Sequence, residues 1–172
     1  MRTVGLVSMY LAAIVAANLF ANYAGEQGHP EWTVYSAFVL IGLDLTARDL
    51  LHDFWTENRL AKLGALICTG SALAYLINPA SEKVALASAL AFGGAAIADT
   101  VVYSLLHKRD WFARVNGSNV VGAAVDSLIF PTVAFGGVLW SVSFGQFTAK
   151  VAGGALWCLV LAGVRSRRVA AA

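Results

Sequence analysis

Apolar residues fall in six long blocks, 4–24, 32–46, 60–77, 84–106, 117–138 and 147–164, separated by short polar or turn-forming stretches. Most of these blocks approach the length an α-helix needs to cross hydrocarbon. The pattern predicts an all-α membrane protein, a six-transmembrane-helix bundle forming one domain over residues 1–172 with no soluble module. Small residues recur four apart within the blocks, as Ala13, Ala17 and Ala21, as Ala85, Ala89 and Gly93, and as Ala87, Ala91 and Ala95. That spacing lets helix backbones approach closely. Gly153-Gly154 predicts a close crossing or local flexibility, and Gly136-Gly137 the end of the fifth helix.

Polar residues inside the blocks are few and lie on stripes. In the fifth block Asn119, Ala123, Asp126 and Phe130 share a face, and in the fourth Phe92, Asp99 and Tyr103 do so. In the first, Asn18 and Asn22 are four apart, with Tyr10 on an adjacent stripe. An ionisable side chain at bilayer depth is costly, so it faces a protein interior or a water-filled path and has work there. Asp99 and Asp126, ending the similar phrases Gly94-Ala-Ala-Ile-Ala-Asp99 and Gly122-Ala-Ala-Val-Asp126, therefore predict a polar chamber. Pro131 lacks a backbone N–H and leaves the Ser127 carbonyl without its helical donor, beside Asp126.

Composition agrees with the pattern: 59% of residues are hydrophobic, 13% are charged, and mean hydropathy is +0.69. Of the 12 Lys and Arg residues, ten fall at the N-terminus, between blocks two and three, between four and five, or at the C-terminus. These are Arg2, Arg48, Arg59, Lys62, Lys108, Arg109, Arg114, Arg165, Arg167 and Arg168. Only Lys83 and Lys150 are assigned to the other side. The positive-inside rule then places both termini in the cytoplasm. The net charge of +2 thus reflects topology, and no nucleic-acid partner is expected. The first block is read as a retained span rather than a signal peptide. Cys68 and Cys158 are read as packing residues, and His29, His52 and His107 lack metal-ligand spacing. No metal and no cofactor are expected.

Asp44-Leu-Thr46-Ala-Arg48 follows the second block. Taken alone it is a solvated, mixed-charge amphipathic turn near the cytoplasmic interface, with Asp44 able to pair with Arg48 four residues on if the segment is helical. Together with Asn18 and Asn22, the Asp99 region and Ser118-Asn119-x-x-Gly122-x-x-x-Asp126-Ser127-x-x-Phe130, however, it resembles the putative vitamin uptake transporter family of small six-span proteins. The resemblance implies import of a queuosine precursor of the 7-deazaguanine type across the cell inner membrane, by a secondary transporter or facilitator. The segment after Arg48 departs from the pattern, carrying Asp49 and Asp53 where a more basic stretch is expected.

On that resemblance the substrate-binding residues are Asn18, Asn22, Asp44, Thr46, Arg48, Phe92, Asp99, Tyr103, Asn119, Asp126, Ser127 and Phe130. Carboxylates suit a deazaguanine's N–H donors, Asn or Thr its carbonyl, and aromatic rings its face. No enzyme activity is expected. An intramembrane aspartyl protease is disfavoured because Gly-x-Gly-Asp is absent, and ATP hydrolysis because no Gly-x-x-x-x-Gly-Lys-Ser/Thr occurs. Alternatives are a substrate-capture subunit of a multi-chain ATP-driven system and a membrane scaffold. Partners are the deazaguanine and the lipid bilayer. A homo-oligomer, an energising ATPase partner and the mode of energy coupling stay open.

Overall fold

Six helical rods follow one another through the residues that the computed structural model describes, 2–55 and 57–169, and no strand occurs among them. The first is α1 (Arg2–Glu26). The second combines α2 (Thr33–Ser36), a π-helical turn (Ala37–Ile41) and α3 (Gly42–Phe54). Then come α4 (Arg59–Ile77), α5 (Glu82–Leu105), α6 (Trp111–Phe135) and α7 (Trp140–Val169). Among the described residues four helices are long and apolar enough to cross a membrane: Val4–Glu26, Pro79–Leu105, Trp111–Phe135 and Trp140–Ala162. Ala61–Ile77 is apolar but shorter.

Side-chain packing shows which helix ends lie together. The start of α7 meets the start of α2 where Gly145 packs on Val34, and the ends of α1 and α6 meet where Gly25 packs on Phe135. Lys83 at the start of α5 reaches Gly136, which ends α6 in the left-handed conformation (φ 80°) that glycine adopts without strain. At the opposite end the Tyr103 hydroxyl of α5 donates to Asp53 of α3 at 2.9 Å, and Arg114 of α6 stacks on the Tyr103 ring. Rods consecutive in the sequence therefore run antiparallel. One end holds Arg59, Lys62, Lys108, Arg109 and Arg114, and the other holds Lys83. The side chains of Arg2, Arg165, Arg167 and Arg168 lie outside the described residues.

The helices are sorted outside-in relative to a water-soluble bundle. On α5, Leu86, Leu90, Ile97, Val101 and Leu105 form an exposed apolar stripe, while Ala87, Ser88, Ala91, Ala95 and Asp99 are buried. Lipid rewards the outer stripe, and small inner residues allow close packing around a few polar groups. The closest crossing is at Gly153 of α7, where an added Cβ would overlap the Phe38 backbone carbonyl; a Cβ at Gly42 would lie 2.6 Å from the Gly153 carbonyl carbon. The π turn sits at this crossing. The Val39 carbonyl within it accepts a hydrogen bond from Trp157 Nε1 at 2.8 Å in addition to the Gly42 backbone N–H, which ties α7 to the turn.

The second rod corrects the expectation of a span ending at residue 46 followed by a solvated turn. α3 is buried from Gly42 through His52. Its charges face inward, so its hydropathy resembles that of a surface segment although its position is central. The sixth rod begins at Trp140 rather than 147, which places Lys150, counted with the outer side by charge, in the body of α7.

Candidate functional site

Two polar layers cross the bundle, offset by about one helical turn. The layer nearer the Arg-rich end is centred on Arg48, which is fully buried, with its Nε 3.7 Å from Asp99 Oδ2. Gly122 of α6 makes room for this pair: a Cβ there would stand 3.4 Å from both Arg48 Nη2 and Asp99 Cβ. Asp44, Asp49 and the Tyr10 hydroxyl complete the layer, all buried. The expected Asp44–Arg48 ion pair is thus replaced by Arg48–Asp99, because the α3 side chains project into the bundle and meet α5. Asp44, Arg48 Nη1 and Nη2, Tyr10 Oη and both side-chain polar atoms of Asn119 have no hydrogen-bond partner.

The second layer is built around a cation that the charge count assigned to the outer side. Lys150 of α7 is buried and forms an ion pair with Asp126 of α6. Its ammonium also donates to Ser127 Oγ at 3.1 Å and Gln146 Oε1 at 2.8 Å, and Gln146 Nε2 donates to Thr33 Oγ1 at 2.7 Å. The signal that could have found Lys150 was present: it lies in an apolar helix one turn after Gln146, and the rule applied to the aspartates covers cations equally. A small pocket adjoins this layer, lined by Phe92, Phe130, Asp126, Lys150, Gln146 and Ser88 among others. Asn18 borders it through a hydrogen bond from the Ser88 hydroxyl.

Of the residues expected at the site, Phe92, Asp126 and Phe130 line the pocket, and Asn18 and Ser127 touch its lining. Asp44, Arg48 and Asp99 form the first layer. Thr46 Oγ1 bonds the Gly154 carbonyl at 3.0 Å, and the Asn119 amide faces Gly154, so these two sit at the α3–α6–α7 contact between the layers. Asn22 donates to Glu26 at 2.7 Å near the end of α1 and does not line the pocket. Tyr103 is engaged with Asp53, Arg114 and the edge of His52. It lies three helical turns from Phe92, so the ring that lines the pocket with Phe92 is Phe130 instead. His52 belongs to α3 rather than a connecting segment. Cys158 is buried as a packing residue, whereas Cys68 is exposed on α4.

A family model described as "Putative vitamin uptake transporter" matches residues 5–163. No curated protein and no solved structure gives a significant match.

Proposed function

Because the chain belongs to the family of vitamin-uptake-type transporters whose model spans nearly all of it, we propose that it imports a queuosine precursor, a 7-deazaguanine base, across the cell inner membrane. Six spans with both termini in the cytoplasm complete the reading. One observation carries it: Phe92 and Phe130 line the same pocket as Asp126 and Gln146, within a bundle whose outer surface is apolar. A flat heterocycle would stack on the rings, give its N–H donors to the carboxylate, and turn its carbonyl to the Gln146 or Asn18 amide. The pocket lies on the Lys83 side of the Arg48–Asp99 pair, as an outward-open or closed state of an alternating-access importer requires.

The direct test is accumulation of labelled 7-deazaguanine by a precursor-auxotrophic cell whose only importer is this chain. Phe130→Leu, which keeps an apolar side chain but removes the ring, is expected to weaken binding by about 1–3 kcal/mol, roughly 10- to 100-fold. Absence of uptake by the wild type, at normal membrane levels, would sink the substrate assignment.

Orientation has its own check. With Arg48 and Lys150 buried inside the bundle, the described loop cations are concentrated at one end. A reporter active only outside the cytoplasm should be active when inserted at Gly28 or Gly137 and silent when fused after Arg168. Activity at the C-terminal fusion would reverse the topology.

A further inference from the structure

A second recess opens on the lipid-facing surface of the bundle, apart from the pocket beside Phe92 and Phe130. It is a groove of about 210 Å³ between α6 and α7, walled by Ala124 and Ser127 on one helix and by Phe144 and Phe147 on the other. Its rim is apolar and open. Leu128, Trp140 and Phe144 are exposed there, on the face that the bilayer covers.

The groove runs along the helices rather than across them. Trp140 begins α7 at the Lys83 end of the bundle, the level at which tryptophan marks the edge of the hydrocarbon. Ala124 lies about three helical turns before Phe135 ends α6, roughly 16 Å along the axis. That is about half of a hydrocarbon core of roughly 30 Å, the course of one acyl chain. A helix from a second copy fits less well, because membrane helices dock through small residues and this rim is Leu, Trp and Phe.

One polar group in the groove wall lacks a partner. Ser143 is 4% exposed and its backbone N–H bonds the Leu139 carbonyl at 2.8 Å, but its hydroxyl makes no hydrogen bond. A buried hydroxyl left unpaired is costly, so this one calls for an acceptor from outside the chain. Ser143 stands one helical turn inside Trp140, where the ester carbonyls of a phospholipid join its headgroup to the hydrocarbon. The other hydroxyl in the wall is already engaged: Ser127 Oγ accepts from the Lys150 ammonium at 3.1 Å.

We infer that the α6–α7 groove binds one acyl chain of a phospholipid, whose ester carbonyl accepts a hydrogen bond from Ser143 Oγ and whose tail lies along Phe144 and Phe147 as far as Ala124. The tail covers Ser127 and so seals the Lys150–Asp126 layer on its bilayer side. The site does not depend on what the protein imports.

The test compares two lipids. Wild-type protein, delipidated in detergent, is titrated with dioleoylphosphatidylcholine, and retained lipid is counted by native mass spectrometry; one per chain is expected. The ether-linked analogue has the same chain length and headgroup but no ester carbonyl, and should bind about fivefold more weakly, the worth of one hydrogen bond. Ser143→Ala should bind the ester lipid as weakly as the wild type binds the ether lipid, and should no longer distinguish the two. Because Ser143 Oγ makes no bond within the protein, this variant should melt with the wild type in lipid-free detergent. Ala124→Leu, which fills the deep end of the groove, should lose the retained lipid. An ester preference that is absent from the wild type, or that survives in Ser143→Ala, would overturn the site. So would lipid bound in no fixed ratio and equally by Ala124→Leu, which is an annular shell only, or a lipid-free dimer, which would give the groove to a second copy. The ester–ether comparison on the wild type decides the matter even where a variant fails to fold.

Discussion

Lys150→Met is expected to destabilise the folded protein by about 3–5 kcal/mol, because it leaves the Asp126 carboxylate buried without its counter-charge. Methionine matches the lysine stem in volume, so the loss reports charge rather than a cavity. Adding Asp126→Asn to the same chain should recover most of the loss. The remaining defect would come from the Ser127 and Gln146 hydrogen bonds that the ammonium no longer makes. Thermal survival in mild detergent, measured on these two chains and on Asp126→Asn alone, gives the coupling of the pair as the double-mutant loss minus the two single losses. Uptake should be lost in the single variant, since the displaced carboxylate lines the pocket. If single and double variants prove equally unstable, Asp126 and Lys150 act separately and the second layer is not organised around their ion pair.

Gly153→Ala is expected to be the most damaging single methyl in the chain. The added Cβ would overlap the Phe38 carbonyl, and a backbone group cannot turn aside as a side chain could. Either α7 moves away from the second rod or the π turn is rebuilt, at a cost of about 1–3 kcal/mol or more. Separation would also stretch the Trp157 to Val39 hydrogen bond and the Thr46 to Gly154 bond. Gly93→Ala is the control: its Cβ would meet nothing within 4 Å, so its effect should stay within about 0.5 kcal/mol. Equal melting temperatures for the two variants would mean that the crossing is looser than described.

The stripes on α5 and α6 were legible because a membrane bundle sorts residues by face. Leu and Ile meet lipid, and the rare polar group must point inward, so spacing alone identified Asn119, Asp126 and Phe130 as one buried face. The end of α6 at Gly136 was legible for a local reason, the left-handed backbone that follows Phe135. α3 was not legible in the same way. Hydropathy records how a residue partitions from water, and a helix whose charges are buried, with Arg48 paired to Asp99 of α5, scores as a surface segment even when it is central.

By itself the sequence determined that the chain is helical and membrane-embedded, which residues face inward on the long spans, and that Asp99 and Asp126 lie among them. Those properties depend on composition and helical period, which are carried by neighbours in the chain. Only the tertiary structure decided that Arg48 pairs with Asp99 across 51 residues of sequence, that Lys150 answers Asp126, and that Phe130 rather than Tyr103 lines the pocket with Phe92. A buried charge is stabilised by whatever opposite charge the packing brings within a few ångströms. That choice belongs to the crossing of α3, α5, α6 and α7, set by glycines at 42, 122 and 153, and no spacing within a single helix encodes it.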